Sequence, residues 1–558
     1  MQPKWAALAL VIALALAAPA SANAANRYID NSGDDQGGAN MCTNKATPCK
    51  TINQALNVGS STDSYLVGGG TYMENVQIGA SAALIGSNFN PPATAGAAIV
   101  DGGAGAGVTS GPGGWTGQIR GLTVRGDGGG VVVNSGSPTI SHVVFDDPQP
   151  NGSGRVAINS SAAATIDAST FHGTGATDDD FGVFAQTTGS VTVAASTFDH
   201  LRTAVVNQGS NAITVRDNTI TFVHMGSFFT PGSGVSVISG ATAKILRNRM
   251  TAEPLPGPLT YGLTLSSSGS PKFTVHGNRI AAFGGTGIIV STPGHVVTLD
   301  SDVVTGNARG IAANDSSTGL KLVNETVYGD SPQHDVESPG TVSIDSSIIG
   351  AGGVSATNGC TITFSRGPTT SGNSCEKFQT AADPQFVSST NFHLKPSSPL
   401  IDAGNPLNPP KGTTDADGRP RMLDGNHDCV PRRDMGALEL SAPCAKPTCT
   451  LKAKSSKVSL KRRVIKLVAK CDENVAVVLG GTVKVKKSGK TKSRSLGLVG
   501  AKLKKNVAKT LKLKLPKSAR KALANGAKES ARFQLTAKNG DALTGTAKVK
   551  IKHLEAKP

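Results

Sequence analysis

The side chains in this sequence best suited to chemistry are grouped carboxylates: Asp146-Asp147, Asp178-Asp179-Asp180 and Asp199, the last beside His200. Such groups cleave sugar polymers in two ways. In hydrolysis, one carboxylic acid protonates the leaving oxygen while a second carboxylate activates water. In elimination, Ca²⁺ held by carboxylates neutralises a uronate while a basic side chain removes a proton. The triple Asp has a simpler reading. Adjacent side chains on an extended segment point to opposite faces, so Asp178, Asp179 and Asp180 read as a solvated insertion loop. No residue is therefore assigned as catalytic. His172, His276 and His295 read as turn or surface residues.

A second acidic run holds Asp415, Asp417, Asp424, Asn426 and Asp428 at alternating spacing. Asp424, Asn426 and Asp428 imitate the front of a calcium loop, but an EF-hand needs glycine at position 429 and glutamate at 435, where Cys429 and Met435 stand. Turns held by Asx hydrogen bonds account for the same residues. Calcium is the one cofactor this sequence admits.

The elements that must position these residues show themselves as a repeat. The phrase "AITVRDNTITF" at 212–222 returns as "AKILRNRMTAE", "KFTVHGNRIAA" and "VTLDSDVVTG". Starting from Ile166, Val193, Val215, Ile245, Val275, Leu299, Leu322 and Ile344, the third residue on is small or polar and the fifth is apolar. A second strand-like signal, such as "GVSV" at 234–237 or "GIIV" at 287–290, precedes most of these phrases. One period of 22 to 30 residues thus holds at least two short strands. A turn this short cannot bury its own apolar face, whereas stacking it on the next turn does so and pairs every strand. The pattern predicts a parallel β-helix. A leucine-rich repeat would need an LxxLxL frame, which is missing, and a β-sandwich would not keep one polar position in phase. At the polar position, asparagine can bond neighbouring backbone and tolerates the left-handed bend. Asn218, Asn248 and Asn278, each 30 residues apart, are expected to stack as a ladder.

Composition sets the frame. The chain has 558 residues, 67 of them Gly, and 17% are charged, which is too apolar for a disordered polymer and too irregular in its glycines for collagen. Residues 1–24 read as a cleaved export signal: Lys4, an apolar run from Ala6 to Ala18, then Ala22-Asn23-Ala24. That run is shorter than the roughly 20 residues a membrane span takes, so no transmembrane segment is expected after cleavage. The cysteines fall into couples: Cys42 with Cys49, Cys360 with Cys375, Cys429 with Cys444, and Cys449 with Cys471. In an exported chain these read as disulfides, although sequence leaves the connectivity open. Charge is divided sharply, since residues 445–558 carry 31 Lys+Arg against 5 Asp+Glu, a balance of +26, leaving −9 for the rest.

The repeats resemble those of the right-handed parallel β-helix proteins exported by bacteria, the pectate-lyase-like superfamily that includes polygalacturonases, alginate epimerases and phage tailspikes. "RYIDNSGDD", "PCKTINQAL" and "YLVGGGTYMENVQI" are similar to the opening segment of such helices, with "KTINQAL" as a short helix over the open end. The stretch from "ADPQF" to "DMGALEL" resembles their closing segment. The resemblance implies a helix over 26–440, with cap 26–80, coils from about 80 to 355 and closure over 356–440. It does not bring a catalytic motif. Gly294-His295-Val296 and Arg279-Ile280-Ala281 each lack a member of the polygalacturonase set and stand out of order, and the epimerase Asp-Pro-His box is absent.

Beyond residue 445, runs such as "KTLKLKLP", "ARFQLTAK" and "GTAKVKIKHL" alternate apolar with polar residues, marking antiparallel strands. This tail, 445–558, resembles the small basic Ig-like sandwiches of exported actinobacterial proteins. It holds a single aromatic, Phe533, so it lacks base-stacking platforms, and nucleic acid is not an expected partner. The sequence reading is an all-β, secreted or envelope-associated protein that presents a lateral surface to an acidic or neutral polysaccharide or cell-wall polymer. The alternative is a lyase or hydrolase of acidic polysaccharide.

Overall fold

The structure, a computed structural model, describes residues 24–35, 40–86, 98–146, 154–173, 180–224, 231–239, 242–252, 259–330, 334–368, 375, 378–407, 413–428, 430–442, 446–459, 461, 463–487, 490–539 and 543–557. The leader, Asp147, Asp178, Asp179, Cys429 and Cys444 lie outside them.

Each winding of the repeat supplies three strands. Ala212–Arg216 joins sheet A, Thr219–Val223 joins sheet B and Gly232–Val237 joins sheet C, after which Thr242–Leu246 returns to sheet A. Among the described residues the three parallel sheets hold 14, 12 and 12 strands. The two halves of the recurring phrase are thus separate strands of sheets A and B, so a period contains one strand more than the two its apolar signals require.

Register explains why the apolar positions repeat in phase. Val215 pairs with Ile245, Ile245 with Val275, Val275 with Leu299, and Leu299 with Leu322, all in parallel. Every one of these side chains is fully buried, and each such burial contributes about 1.5–3 kcal/mol. One sheet over, Phe145, Phe171 and Phe198 stack with ring centroids 4.6 and 4.4 Å apart.

The corner between sheets A and B shows what the polar position does. Ser169, Ser196, Asn218, Asn248, Asn278, Asp302, Glu325 and Ser347 are all buried. The Asn218 N–H donates to Asn248 Oδ1 (3.1 Å), that of Asn248 to Asn278 Oδ1 (3.0 Å), and that of Asn278 to Asp302 Oδ1 (2.6 Å). The left-handed residue at this corner is one position earlier than the sequence reading puts it: Ala168, Ala195, Asp217, Arg247, Gly277, Ser301, Asn324 and Ser346 have positive φ. The bend falls there because the polar side chain itself must turn inward, where its oxygen meets a backbone N–H of the preceding winding.

At the opening end, helix Ile52–Val58 buries Ile52 and Ala55 and is capped by Thr51 Oγ1, which accepts from the Gln54 N–H. The Glu74 carboxylate accepts from the Ile52 and Asn53 N–H groups, both at 2.9 Å, placing a negative charge at the helix N-terminus. Cys42–Cys49 and Cys360–Cys375 are disulfides with Cα separations of 5.2 and 4.4 Å.

The chain divides into two compact units. The first comprises Met1–Ile344, Ile349–Thr361 and Thr370–Lys377; the second comprises Asp345–Ile348, Ile362–Thr369 and Phe378–Pro558. The second unit therefore takes in most of the closing segment as well as the basic tail, while residues 356–361 and 370–377 fall in the first. In the closing segment, Asn405 holds the corner at Asp345 and Ser346: its Nδ2 lies 3.1 Å from Asp345 Oδ1, and its N–H donates to Ser346 Oγ at 2.9 Å. Arg421 is fully buried, with Nη1 donating to Glu439 Oε1 (3.0 Å) and to the Gly436 carbonyl (2.8 Å). Burial pushes Glu439 up to about 8 against the pull of Arg421, and pushes Asp434 up to about 7.

Among its described residues the tail forms a mixed sheet of eight strands that fits an Ig-like module. Its neighbours pair antiparallel except Lys457–Ser459 with Thr544–Lys557, which are parallel. Leu467, Leu479, Leu513, Phe533 and Leu535 fill the core, and helix Lys517–Ala524 buries Ala519 and Leu523. Cys449 pairs directly with Cys471 across two strands, and the disulfide between them spans 4.1 Å between Cα atoms.

Candidate functional site on the lateral face

Sheet B brings together residues that lie far apart in sequence. Asp101, Arg125, Asp146, His172 and Asp199 follow one another on consecutive windings. Each ends a strand whose middle residue points inward, so its own side chain points outward. The result is a column of ionisable groups along one flank, spaced by about 4.8 Å per winding. The column crosses from charged to neutral at Thr221, the partner of Asp199 on the next winding.

Within the column the groups are joined. Arg125 Nη2 donates to Asp146 Oδ2 at 2.9 Å. His172 Nδ1 lies 3.0 Å from Asp199 Oδ2, and His200 Nδ1 bonds the other oxygen, Asp199 Oδ1. A left-handed turn at His200, φ 54°, accompanies that second contact. The side chains of His172 and His200 are 45% and 43% exposed while Asp199 is 25% exposed. The carboxylate thus orients two imidazoles whose far edges reach solvent, able to donate to or accept from sugar hydroxyls and, when protonated, to pair with an acidic sugar.

Behind the column stands a buried support. Arg155 Nη2 meets Asp180 Oδ2 at 3.2 Å, with the two side chains 3% and 0% exposed. The Arg155 Nε–H donates to the His172 carbonyl (2.8 Å), and the Arg202 N–H donates to Asp180 Oδ1 (3.1 Å). His224 Nε2 lies 3.2 Å from the His200 carbonyl. Asp180 is therefore a correction to the solvated-loop reading of the triple Asp. It is enclosed because the guanidinium of Arg155, one winding earlier, needs a counter-charge where it is desolvated. Asp146 and Asp199 join the exposed column, Asp180 stands beneath it, and Asp147, Asp178 and Asp179 lie outside the described residues. Arg125 and His172 were missed as site members by sequence reasoning. Counting one winding forward or back from Asp146 would have found both.

The closing segment holds a second acidic group. Carboxylate oxygens of Asp402, Asp424 and Asp428 lie within 4.8 Å of one another. Asp402 stands where the sequence reading placed Asn426. The Asn426 N–H donates to Asp402 Oδ2 (3.1 Å), and Asn426 Oδ1 accepts from the Asp428 N–H (2.8 Å). Arg432 Nη1 pairs with Asp428 Oδ2 at 2.8 Å. Burial, with the charges of Asp424 and Asp428, raises Asp402 above the usual carboxylate range.

Comparison with known proteins agrees with the winding geometry. The family described as "Right handed beta helix region" matches residues 106–280. The first unit is a right-handed parallel β-helix. No curated protein sequence matches the chain. Among solved structures it is similar to XylC in complex with xylose, at 9% identity and a TM-score of 0.32 over 62% of this chain and 76% of that one. It is also similar to a rhamnogalacturonan lyase, at 11% identity and a TM-score of 0.23 over 65% of this chain and 91% of that one.

Proposed function

We propose that this β-helix protein is exported, is held at the cell envelope, and binds carbohydrate along its lateral face. The observation that carries the reading is the column from Arg125 to Asp199, in which polar groups of both signs repeat at a fixed spacing, a geometry suited to an extended polymer. The leader and the disulfides support export, and no helix among the described residues is long and apolar enough to cross a membrane. The basic module supports retention at an anionic wall through long-range attraction.

A second reading, glycan cleavage, has one observation in its favour. The backbones of Asp146 and Asp199, two windings apart, are separated by about 9.6 Å, just beyond the roughly 6.5–9.5 Å between the carboxylates of an inverting pair. Both carboxylates are already engaged, one by Arg125 and the other by two histidines, which favours binding. For Asp424, Asn426 and Asp428 we favour Asx capping over calcium, because Asn426 Oδ1 already accepts the Asp428 N–H, Asp402 Oδ2 accepts the Asn426 N–H and Arg432 pairs with Asp428 Oδ2.

Polygalacturonate, alginate and neutral glucans, assayed together for binding and for release of unsaturated product or reducing ends, separate the readings. Binding weakened by His172→Ala with Asp199→Asn, and no turnover, supports the first. Turnover abolished by Asp199→Asn establishes the second.

A further inference from the structure

The face of the C-terminal sheet that points away from its core carries a groove. Two cross-strand rows define it. Thr482 pairs with Arg532 and Arg532 with Lys550; alongside, Gly480 pairs with Gln534 and Gln534 with Lys548. A register shift between Leu479 and Gly481 interrupts the edge pairing, and Gly480 leaves the floor bare beside Leu498, which is 76% exposed. The groove encloses about 590 Å³.

Its charge is unbalanced. Arg532 and Lys550 stand directly opposite each other, where side chains sit about 4.5–5.5 Å apart at Cβ and like charges destabilise a sheet. Among the described residues no carboxylate lines the groove, and Glu529, on a neighbouring stretch of the same strand, faces the interior. Two opposed cations with a third beside them cost stability in the free protein, and an anion laid between them removes that cost.

We propose that this groove docks an acidic polysaccharide, its carboxylates paired with Arg532, Lys548 and Lys550 and its hydroxyls bonded by Thr482 and Gln534. The inference rests on the reading of the module as the part that holds the protein at an anionic envelope, and it gives that role a site. Nucleic acid fits less well, since Phe533 lies between the two rows but is buried and offers no stacking surface. A recessed strip with neutral hydrogen-bonding groups between its cations suits a single sugar chain better than a flat lipid surface.

The test titrates the full-length protein with polygalacturonate, and with dextran, duplex DNA and phosphatidylglycerol vesicles as competing classes. Each titration is repeated with His172→Ala and Asp199→Asn in place, so that any lateral-face contribution is removed. Polygalacturonate is expected to bind most tightly. Removing the groove cations together (R532A, K548A, K550A) is expected to weaken it about tenfold, three screened contacts in sum. Gly480→Leu, whose Cβ meets only the movable end of Leu498, is expected to weaken it without changing charge. An equal charge loss elsewhere on the module (K452A, K457A, K466A) should cost less than about twofold. Thermal melts report folding, and the groove triple should melt no lower than wild type because a repulsion is gone.

Equal losses for the two triples overturn the groove while leaving anionic retention intact. Failure of wild type to bind any polyanion overturns both. Tighter binding to DNA or to vesicles overturns the proposed occupant.

Discussion

Asn248 Nδ2 donates to Asn278 Oδ1 at 3.0 Å, and Asn218 Nδ2 donates to Asn248 Oδ1 at 2.9 Å. The direction is the same at each step, so the ladder has a polarity: every amide gives its hydrogen to the next winding. Its far end must be an acceptor, and Asp302 Oδ1 takes the last hydrogen, from Asn278 Nδ2 at 2.8 Å.

Asn248→Ala removes a group that also donates to the Val215 carbonyl and accepts the Asn218 N–H. Several buried polar partners lose their mates, at about 1–3 kcal/mol each before relaxation. Urea denaturation should show a loss of about 3 kcal/mol or more, while Lys244→Ala, at an exposed position of the strand before it, should cost little.

Asp302→Asn should stabilise the helix in a pH-dependent way. Burial pushes Asp302 up to about 7 from 3.8. The folded state therefore holds a proton that the unfolded chain releases, and wild-type stability declines as pH rises from about 4 to 7. Asparagine at 302 has no proton to lose and extends the amide ladder. Its advantage should grow by about 1 kcal/mol per pH unit over that window and level off above it, read from melts at pH 4 to 8.

The coils were legible because the polar corner recurs in phase with an apolar neighbour, a signal that needs no long-range information. The third strand was not, since Thr170–His172 and most of its equivalents are only three or four residues long and Thr170–His172 is separated from sheet A by only a two-residue corner. The lateral column was half legible: Asp146 and Asp199 stood out as acids, whereas Arg125 and His172 gain meaning only when windings are aligned. The closing segment was less legible, because Arg421 and Glu439 lie 18 residues apart with no periodicity to join them, and its acids read both as Asx turns and as the front of a calcium loop.

Arg421→Met should destabilise that closing network by about 3–5 kcal/mol, the usual cost of leaving one partner of a buried pair behind. Adding Glu439→Gln should recover much of the loss, since the stranded carboxylate is then gone. A double-mutant cycle by thermal melting, with proteolysis near residues 413–440 as a local readout, measures both.

Glu529→Gln tests the C-terminal module. Glu529 is buried facing the core, and desolvation pushes it up to about 7 from 4.5. Wild-type module stability should fall as pH rises between these values, and the variant should gain about 2 kcal/mol at pH 8 while matching wild type near pH 4. An advantage of the variant over wild type that is no larger at pH 8 than at pH 4 would contradict the burial.

The most direct check on the account is a crystal structure of the protein with a hexagalacturonate. Sugar density running along sheet B, with ring substituents within hydrogen-bonding distance of Arg125, His172 and Asp199, is the expected result. A sheet B flank that stays bare at saturating ligand, with Asn218, Asn248 and Asn278 in their column, would leave the winding standing and contradict the lateral face as the site of carbohydrate binding.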